Sequence, residues 1–334
     1  MVKLAKREFG NIFKYTAFLT RIRPLRHESA AILPLKQEKL EMPPGAILDT
    51  KFLKKLERLT LVTRRPFSGQ MKGEKRSLKR GTSIEFADYR EYALGDDLRY
   101  VDWNTYGRLD KMFLKLFVEE EDLYLALLLD SSMSMSFGNP KKMDYAVRVA
   151  AALGYISLTN YDRVSVQTYS ESLGKPLPPQ RGRGGVPPFF RYLETVSAEG
   201  KTGFAASLRR YSATVRHKGI AIVLSDFFDP KWQEGVKSLL ARGNQVALIH
   251  VLSEDEINPT LLGDLRIIDS ETGESKEMSV NPQLLTRYKQ TFNAFCSEIE
   301  TFANRYGIDY LRASTNLPFE DLILKYLRQN GLVR

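Results

Sequence analysis

Apolar and polar positions fall into two kinds of run along this chain. Residues 123–129 are almost continuously apolar, too few for a buried helix of ordinary length and suited to a central strand. Residues 219–225 (GIAIVLS) form a second such run, and 163–169, 244–252 and 308–313 predict further strands. Between them the spacing becomes helical. Residues 140–159 are apolar at Met143, Ala146, Val147, Ala150, Leu153 and Ile156, and 281–306 carry a stripe of Leu284, Tyr288, Phe292, Phe295, Ile299 and Phe302. Shorter helices are predicted over 189–196, 204–215 and 319–327, and another starts at Asp229 and Pro230. Strands alternating with helices define an α/β fold built on a doubly wound, mostly parallel sheet. Residues 266–280, with Asp269-Ser270-Glu271-Thr272-Gly273 between short alternating runs, predict a hairpin added at the sheet edge. The Pro/Gly/Arg-rich stretch 176–188 reads as a flexible surface loop.

Upstream the pattern is less regular. Residues 47–61 place Leu48, Phe52, Leu56 and Leu59 at helical spacing, with Asp49 or Thr50 available as a cap. Before them, 1–46 mix basic and apolar residues, and Pro24, Pro34, Pro43 and Pro44 prevent a long helix; one short amphipathic helix is predicted near 9–19. Residues 63–80, rich in Arg, Lys, Gly and Ser, read as a surface loop. From Gly81 onward, Phe86, Tyr89, Tyr92, Tyr100, Trp103 and Tyr106 interleave with Glu85, Arg90, Asp96, Asp97, Arg99 and Asp102. So many rings predict a segment that drapes over the following domain, rings buried and carboxylates paired with arginines. A second cation site at Asp96, Asp97 and Asp102 is the alternative. The division is therefore a basic extension over 1–46, a segment over 47–120 and an α/β domain over 121–334.

Charge changes this picture only at one end. The net +10 is an N-terminal property: residues 1–80 carry 20 Lys or Arg against 7 Asp or Glu, and the remainder 30 against 33. A basic arm can meet nucleic acid, anionic lipid or an acidic protein face. The chain has neither zinc-finger spacing nor an RNA-recognition aromatic signature, which disfavours nucleic acid and leaves peripheral contact with the inner membrane face open. The single cysteine, Cys296, excludes an intramolecular disulfide and points to a reducing compartment, so a cytoplasmic protein is expected. No run approaches the roughly 18 apolar residues of a spanning helix, and no signal-peptide pattern opens the chain, so neither secretion nor a helical anchor is expected.

Candidate chemistry gathers where the buried strands end. Asp130, Ser132 and Ser134 follow the first strand, and Asp226 closes the second. Open α/β sheets bind ligands at the carboxyl ends of their strands, so two carboxylates and two hydroxyls would share one crevice. Such hard oxygens suit magnesium or manganese. The RGRGG run at 181–185 lacks the Lys-Ser/Thr ending of a phosphate loop, and His27, His217, His250 and Cys296 have no spacing for zinc or a Cys-His nucleophile. With no His or Glu at a spacing that supplies a general base, binding is expected, and a magnesium-dependent hydrolase is the competing class.

Asp130-x-Ser132-x-Ser134 resembles the metal-ion-dependent adhesion site of von Willebrand factor A domains, a Rossmann-type fold. The resemblance implies Thr202 as a distant fifth ligand, although Gly203 stands where relatives usually carry aspartate; Thr202 as a helix cap is the bland reading. It further implies direct ligation by Ser132 and Ser134, with Asp130, Thr202 and Asp226 direct or through water. Gly81-x-Ser83-x-Glu85-Phe86, Arg90-Glu91-Tyr92 and Gly95-Asp96-Asp97-x-Arg99-x-x-Asp102-Trp103 closely resemble the signature of the prokaryotic family called domain of unknown function 58. There the signature precedes a von Willebrand A-type domain. This resemblance implies an adaptor or co-chaperone that acts beside a MoxR-type AAA ATPase on a client protein, a carboxylate of the partner completing the magnesium shell. A scaffold on the membrane surface, attached through the basic arm, is a further alternative.

Overall fold

The structure, a computed structural model, describes residues 23–24, 47–62, 84–119, 123–215, 217–268, 275–328 and 332–334. The expected helix at 9–19 and the 63–80 loop lie outside the described residues. In chain order the elements are β1 (Arg23–Pro24), α1 (Thr50–Leu56), β2 (Ile84–Glu91), α2 (Trp103–Leu109), β3 (Phe113–Glu119), β4 (Tyr124–Asp130), α3 (Lys142–Thr159), β5 (Arg163–Tyr169), β6 (Leu177–Arg181) and α4 (Val186–Glu194). There follow α5 (Phe204–Thr214), β7 (Ile220–Ser225), α6 (Trp232–Ala241), β8 (Gln245–Leu252), α7 (Glu254–Ile257), β9 (Gly263–Ile268), β10 (Ser275–Val280), α8 (Pro282–Tyr306), β11 (Asp309–Ser314) and α9 (Phe319–Asp321), which runs on into a π-helical turn over Leu322–Leu327.

Six strands form the main sheet in the order β11-β8-β7-β4-β5-β6, parallel throughout except where β6 meets β5. After β4 the chain first builds outward to β5 and β6, then crosses back to lay β7, β8 and β11 on the other side. The order thus reverses between β4 and β7, the kind of switch point at whose carboxyl ends open α/β sheets bind ligands. Strand periodicity divides the core. Ala126 and Leu128, Ala221 and Val223, and Val246 and Leu248 share one apolar cluster with Phe204 and Leu208 of α5, Val236 and Leu239 of α6, and Ile299 and Phe302 of α8. The alternate residues Leu125, Leu127 and Leu129 are fully buried on the opposite face, where α3 packs on β4 and β5. Residues buried on both faces explain why β4 reads as a continuous apolar run.

Three expectations change. Residues 177–181 are no flexible loop but an antiparallel edge strand, followed by the turn Arg183–Gly185 and then α4. Pro178 and Pro179 are tolerated there because an edge strand needs ladder bonds on one side only, and the register slips between Val164 and Val166. The β9–β10 hairpin forms as predicted, but it joins β1 in a separate three-stranded sheet instead of extending the edge of the main one. The helix expected over 47–61 is shorter, because the chain leaves it to pair with the carboxyl-terminal segment: Thr60 and Val62 N–H groups donate to the carbonyls of Arg334 (3.0 Å) and Leu332 (2.9 Å). Asp49 holds the cap position of α1 without a side-chain capping bond. Phe52 and Leu56 are nonetheless fully buried, Phe52 meeting Phe319 edge-on at 5.2 Å.

Contacts divide the chain into two compact units, one of Met1–Arg65 with Leu123–Arg334 and one of Pro66–Asp122. In the second, β2 and β3 pair antiparallel and α2 lies between them in sequence. Its carboxylates are satisfied as expected: Arg90 pairs with Asp96 at 2.7 Å, Arg99 pairs with Asp97, and Asp102 caps α2 while accepting from the Tyr89 hydroxyl at 2.8 Å. Three of its rings are exposed where burial is expected. Tyr89, Trp103 (57% exposed) and Tyr106 face solvent, and α2 contains no buried residue. A two-stranded hairpin with one two-turn helix has too little apolar surface to cover them.

One close approach tests the packing of α3. A Cβ on Gly154 would stand 2.1 Å from Cζ of the fully buried Phe189 in α4. Gly154→Ala should therefore destabilise by about 1–3 kcal/mol in urea unfolding, although alanine is the better helix former. An unchanged or raised midpoint would contradict the α3–α4 contact.

Candidate functional site

The carboxyl ends of β4 and β7 meet in a buried polar network. Asp130, the last residue of β4, accepts at Oδ1 from Ser132 N (3.0 Å) and Ser132 Oγ (2.6 Å), and at Oδ2 from Ser225 Oγ (2.6 Å). Ser132 Oγ and Ser134 Oγ stand 3.0 Å apart as the chain turns through Met133–Ser136. Asp226 follows β7, accepts from Ser134 and from Phe228 N (3.3 Å), and receives Lys142 Nζ on Oδ2 at 2.7 Å. The same ammonium donates to Glu256 Oε1 at 2.7 Å. Glu256 completes a capping box at α7: Ser253 N donates to Oε2 at 2.8 Å, and Glu256 N donates to Ser253 Oγ at 3.3 Å. All seven of these side chains, Asp130, Ser132, Ser134, Ser225, Asp226, Lys142 and Glu256, are buried.

Burial and mutual charge set the electrostatics. Burial, reinforced by the charge of Asp226, pushes Asp130 up to about 7 against the pull of its hydrogen bonds. Burial would also raise Asp226, but the charge and bond of Lys142, with Ser134 and Phe228 N, hold it below the usual carboxylate range. Lys142 is raised: burial disfavours its charge, and Asp226 and Glu256 together outweigh that. Glu256 is raised, burial exceeding the help from Lys142.

Thr202 lies on a strap beside the serine turn. Glu199 N donates to Ser131 O (2.7 Å), and Met133 N donates to Gly200 O (2.9 Å). Thr202 is partly buried there and does not occupy the cap position of α5, which falls to Gly203. A Cβ on Gly203 would meet the carbonyls of Glu171 at 2.8 Å and Ser170 at 3.0 Å, so a side chain has no room there. Asp229, from the turn after β7, supplies a carboxylate to Phe204 N at 3.1 Å instead.

Of the five residues expected to converge, Asp130, Ser132, Ser134 and Asp226 share one network, and Thr202 sits on the strap bonded to its turn. Lys142, Glu256, Ser225 and His250 escaped the sequence reading. Lys142 left one trace: a lysine in the first turn of a helix opposes the macrodipole and needs a local reason. Ser253-x-x-Glu256 is a legible capping box. No His or Glu is expected here from its spacing in the sequence, yet His250 of β8 and Glu256 of α7, distant in sequence, stand beside the network. Both oxygens of Glu256 are already engaged.

The residues fit a hard cation. Ligands of an octahedral magnesium at 2.0–2.1 Å stand about 2.9 Å from their neighbours, close to the spacing of the two serine hydroxyls. Among the described residues no group of three or more His, Cys, Asp or Glu is placed to hold an ion, so an ion at this site would depend on hydroxyls and water.

Fold and site together define a mixed α/β protein with a buried network of carboxylates and hydroxyls at its switch point. The chain belongs to the family described as protein of unknown function DUF58, whose sequence profile matches residues 88–295. Uncharacterized proteins of Mycobacterium bovis and Mycobacterium tuberculosis are each 26% identical over 278 residues, 81% of this chain and 87% of theirs. Among solved structures, a conserved hypothetical protein BatB from Bacteroides thetaiotaomicron aligns with a TM-score of 0.39 at 14% identity, over 63% of this chain and 98% of its own. An aerotolerance-related membrane protein from Bacteroides fragilis aligns with a TM-score of 0.37 at 15% identity, over the same shares.

His250, beside Ser225 in the β7–β8 register, gives a pH signature. Burial lowers it to about 3, with Tyr310 Oη at 2.9 Å from Nδ1 and the rings of Phe227 and Phe295 edge-on. The folded protein keeps it neutral, whereas the unfolded chain takes up a proton below about pH 6.5. Its contribution is thus present above that pH and lost on acidification towards 3. Relative to His250→Gln, the wild type should lose about 3 kcal/mol between pH 7 and pH 4 in unfolding titrations. Parallel curves for the two proteins would contradict a buried neutral imidazole.

Proposed function

We propose that this protein is a non-catalytic, metal-dependent protein-binding module with a von Willebrand A-like architecture, in which Asp130, Ser132, Ser134, Thr202 and Asp226 hold magnesium or manganese. The observation that carries the reading is the pair of serine hydroxyls 3.0 Å apart between two buried carboxylates at the switch point. A bound divalent cation would supply a Lewis-acidic coordination position open to a carboxylate of a partner. Ser132 and Ser134 ligate directly, and Asp130, Thr202 and Asp226 directly or through water. The reading is non-catalytic because both oxygens of Glu256 are committed to Lys142 and Ser253, and His250 is enclosed in the core with its Nδ1 on Tyr310. Following the family signature at 81–103, the partner is a MoxR-type AAA ATPase acting on a client protein, with this chain as adaptor or co-chaperone. The chain works in the cytoplasm, where Cys296 stays reduced, and its basic extension touches the inner membrane face. Among the described residues no helix is long and apolar enough to cross a membrane.

Titration calorimetry should detect manganese or magnesium binding that Asp130→Ala or Ser132→Ala weakens tenfold or more, about 1.4 kcal/mol, in variants whose melting curves show them folded. Equal binding by wild type and both variants removes the site.

With a MoxR-type ATPase immobilised, a chelator and Ser134→Ala should each speed dissociation. Truncating residues 1–45 should mainly slow association, since its long-range attraction is screened over about 10 Å at 0.1 M salt. A dissociation rate indifferent to both chelator and Ser134→Ala would refute docking through the cation.

A further inference from the structure

The proposed function leaves Lys142 and Glu256 without a role. Lys142 opens α3 with its side chain entirely shut from solvent, and its ammonium contacts two carboxylates at 2.7 Å each. Folding alone does not call for it, since apolar side chains of similar volume commonly replace buried ionic groups at no loss of stability. Resting on the proposed cation site, we propose that Lys142 and Glu256 are positioning residues that set the charge, and so the valence, of the ion taken between Ser132 and Ser134.

Two features carry this. The first is the charge count: Asp130, Asp226 and Glu256 are three buried carboxyl groups and Lys142 is one buried amine, and in their charged forms they leave two negative charges for a divalent ion to neutralise. In a dry site an unmatched charge is far more costly than in water, so the count matters. The second is geometric. Lys142 occupies Oδ2 of Asp226, so this carboxylate can offer a cation only Oδ1, already within 3.3 Å of Phe228 N. A carboxylate that cannot be bidentate suits a six-coordinate ion such as magnesium or manganese and disfavours larger ions that take seven or eight oxygens. Glu256 touches no proposed ligand except through Lys142 among its hydrogen-bonded contacts here, and it is locked in place by the Ser253 capping box and by Tyr288 Oη on its carbonyl at 2.6 Å.

The test compares wild type, Glu256→Gln, Lys142→Met and the double variant in manganese calorimetry and in terbium(III) luminescence, with melting curves for each. Glu256→Gln removes one negative charge without touching the cation and should weaken manganese tenfold or more. Lys142→Met adds one negative charge and frees Oδ2, so the affinity ratio of terbium to manganese should rise tenfold or more. The double variant restores the count, and its manganese affinity should return to within threefold of wild type. If Lys142→Met does not fold, Glu256→Gln, which keeps an acceptor for the ammonium, decides alone. Wild type that binds manganese, with affinities and ratio unmoved in folded variants, overturns this inference and leaves the proposed function standing. Wild type that binds neither ion overturns both.

Discussion

The ammonium of Lys142, withdrawn from water and shared between Asp226 and Glu256, is the interaction on which this end of the molecule depends. It joins positions 84 and 114 residues apart in sequence and ties the start of α3 to the ends of β7 and β8. Each of the three charges would cost several kcal/mol to bury alone. Together they are tolerable only while every partner keeps its place, so the network fixes the crevice as well as occupying it. The surrounding scaffold is built for such precision. β4 and β7 are buried on both faces, and their last residues have little freedom to move.

The crevice departs from what carboxylates alone would make. Its negative charge is diluted by a lysine, and beside the carboxylates stand hydroxyls whose hydrogens can turn away. Asp130 shows the tension most clearly: burial raises its pKa to about 7 while three donors from Ser132 and Ser225 favour its charged form. A cation there would replace a proton, and both oxygens of the neighbouring Glu256 are already engaged by Lys142 and Ser253. The exposed Trp103 and Tyr106 belong to the other compact unit, and the carboxylates of its family signature are spent on Arg90, Arg99 and the cap of α2.

Much of the fold was legible in the sequence, for reasons that also explain the failures. Strands buried on both faces must be largely apolar, so β4, β7 and β8 announced themselves, and Asp130 and Asp226 stood out because each interrupts such a run. β6 did not, since an edge strand can hold two prolines and so resembles a loop. The rings at 86–106 suggested burial because composition reports how many aromatics there are and not whether enough apolar surface exists to cover them. Lys142 and Glu256 were hidden by the ordinary look of charged residues near helix starts; only the fold brings them together. Gly203 is explained by backbone carbonyls that leave no space for a side chain, while Asp229 supplies the carboxylate to Phe204 N.

The central claim is that a divalent ion sits between the two serines while Lys142 stays on Asp226. Anomalous diffraction at the manganese edge from crystals grown with manganese tests it most directly. The account predicts a single peak about 2.0–2.3 Å from Ser132 Oγ and Ser134 Oγ, with the Lys142 ammonium still bonded to Asp226 and Glu256. A peak elsewhere, or well-ordered serines bonded only to Asp130 and Asp226 at saturating manganese, would contradict it.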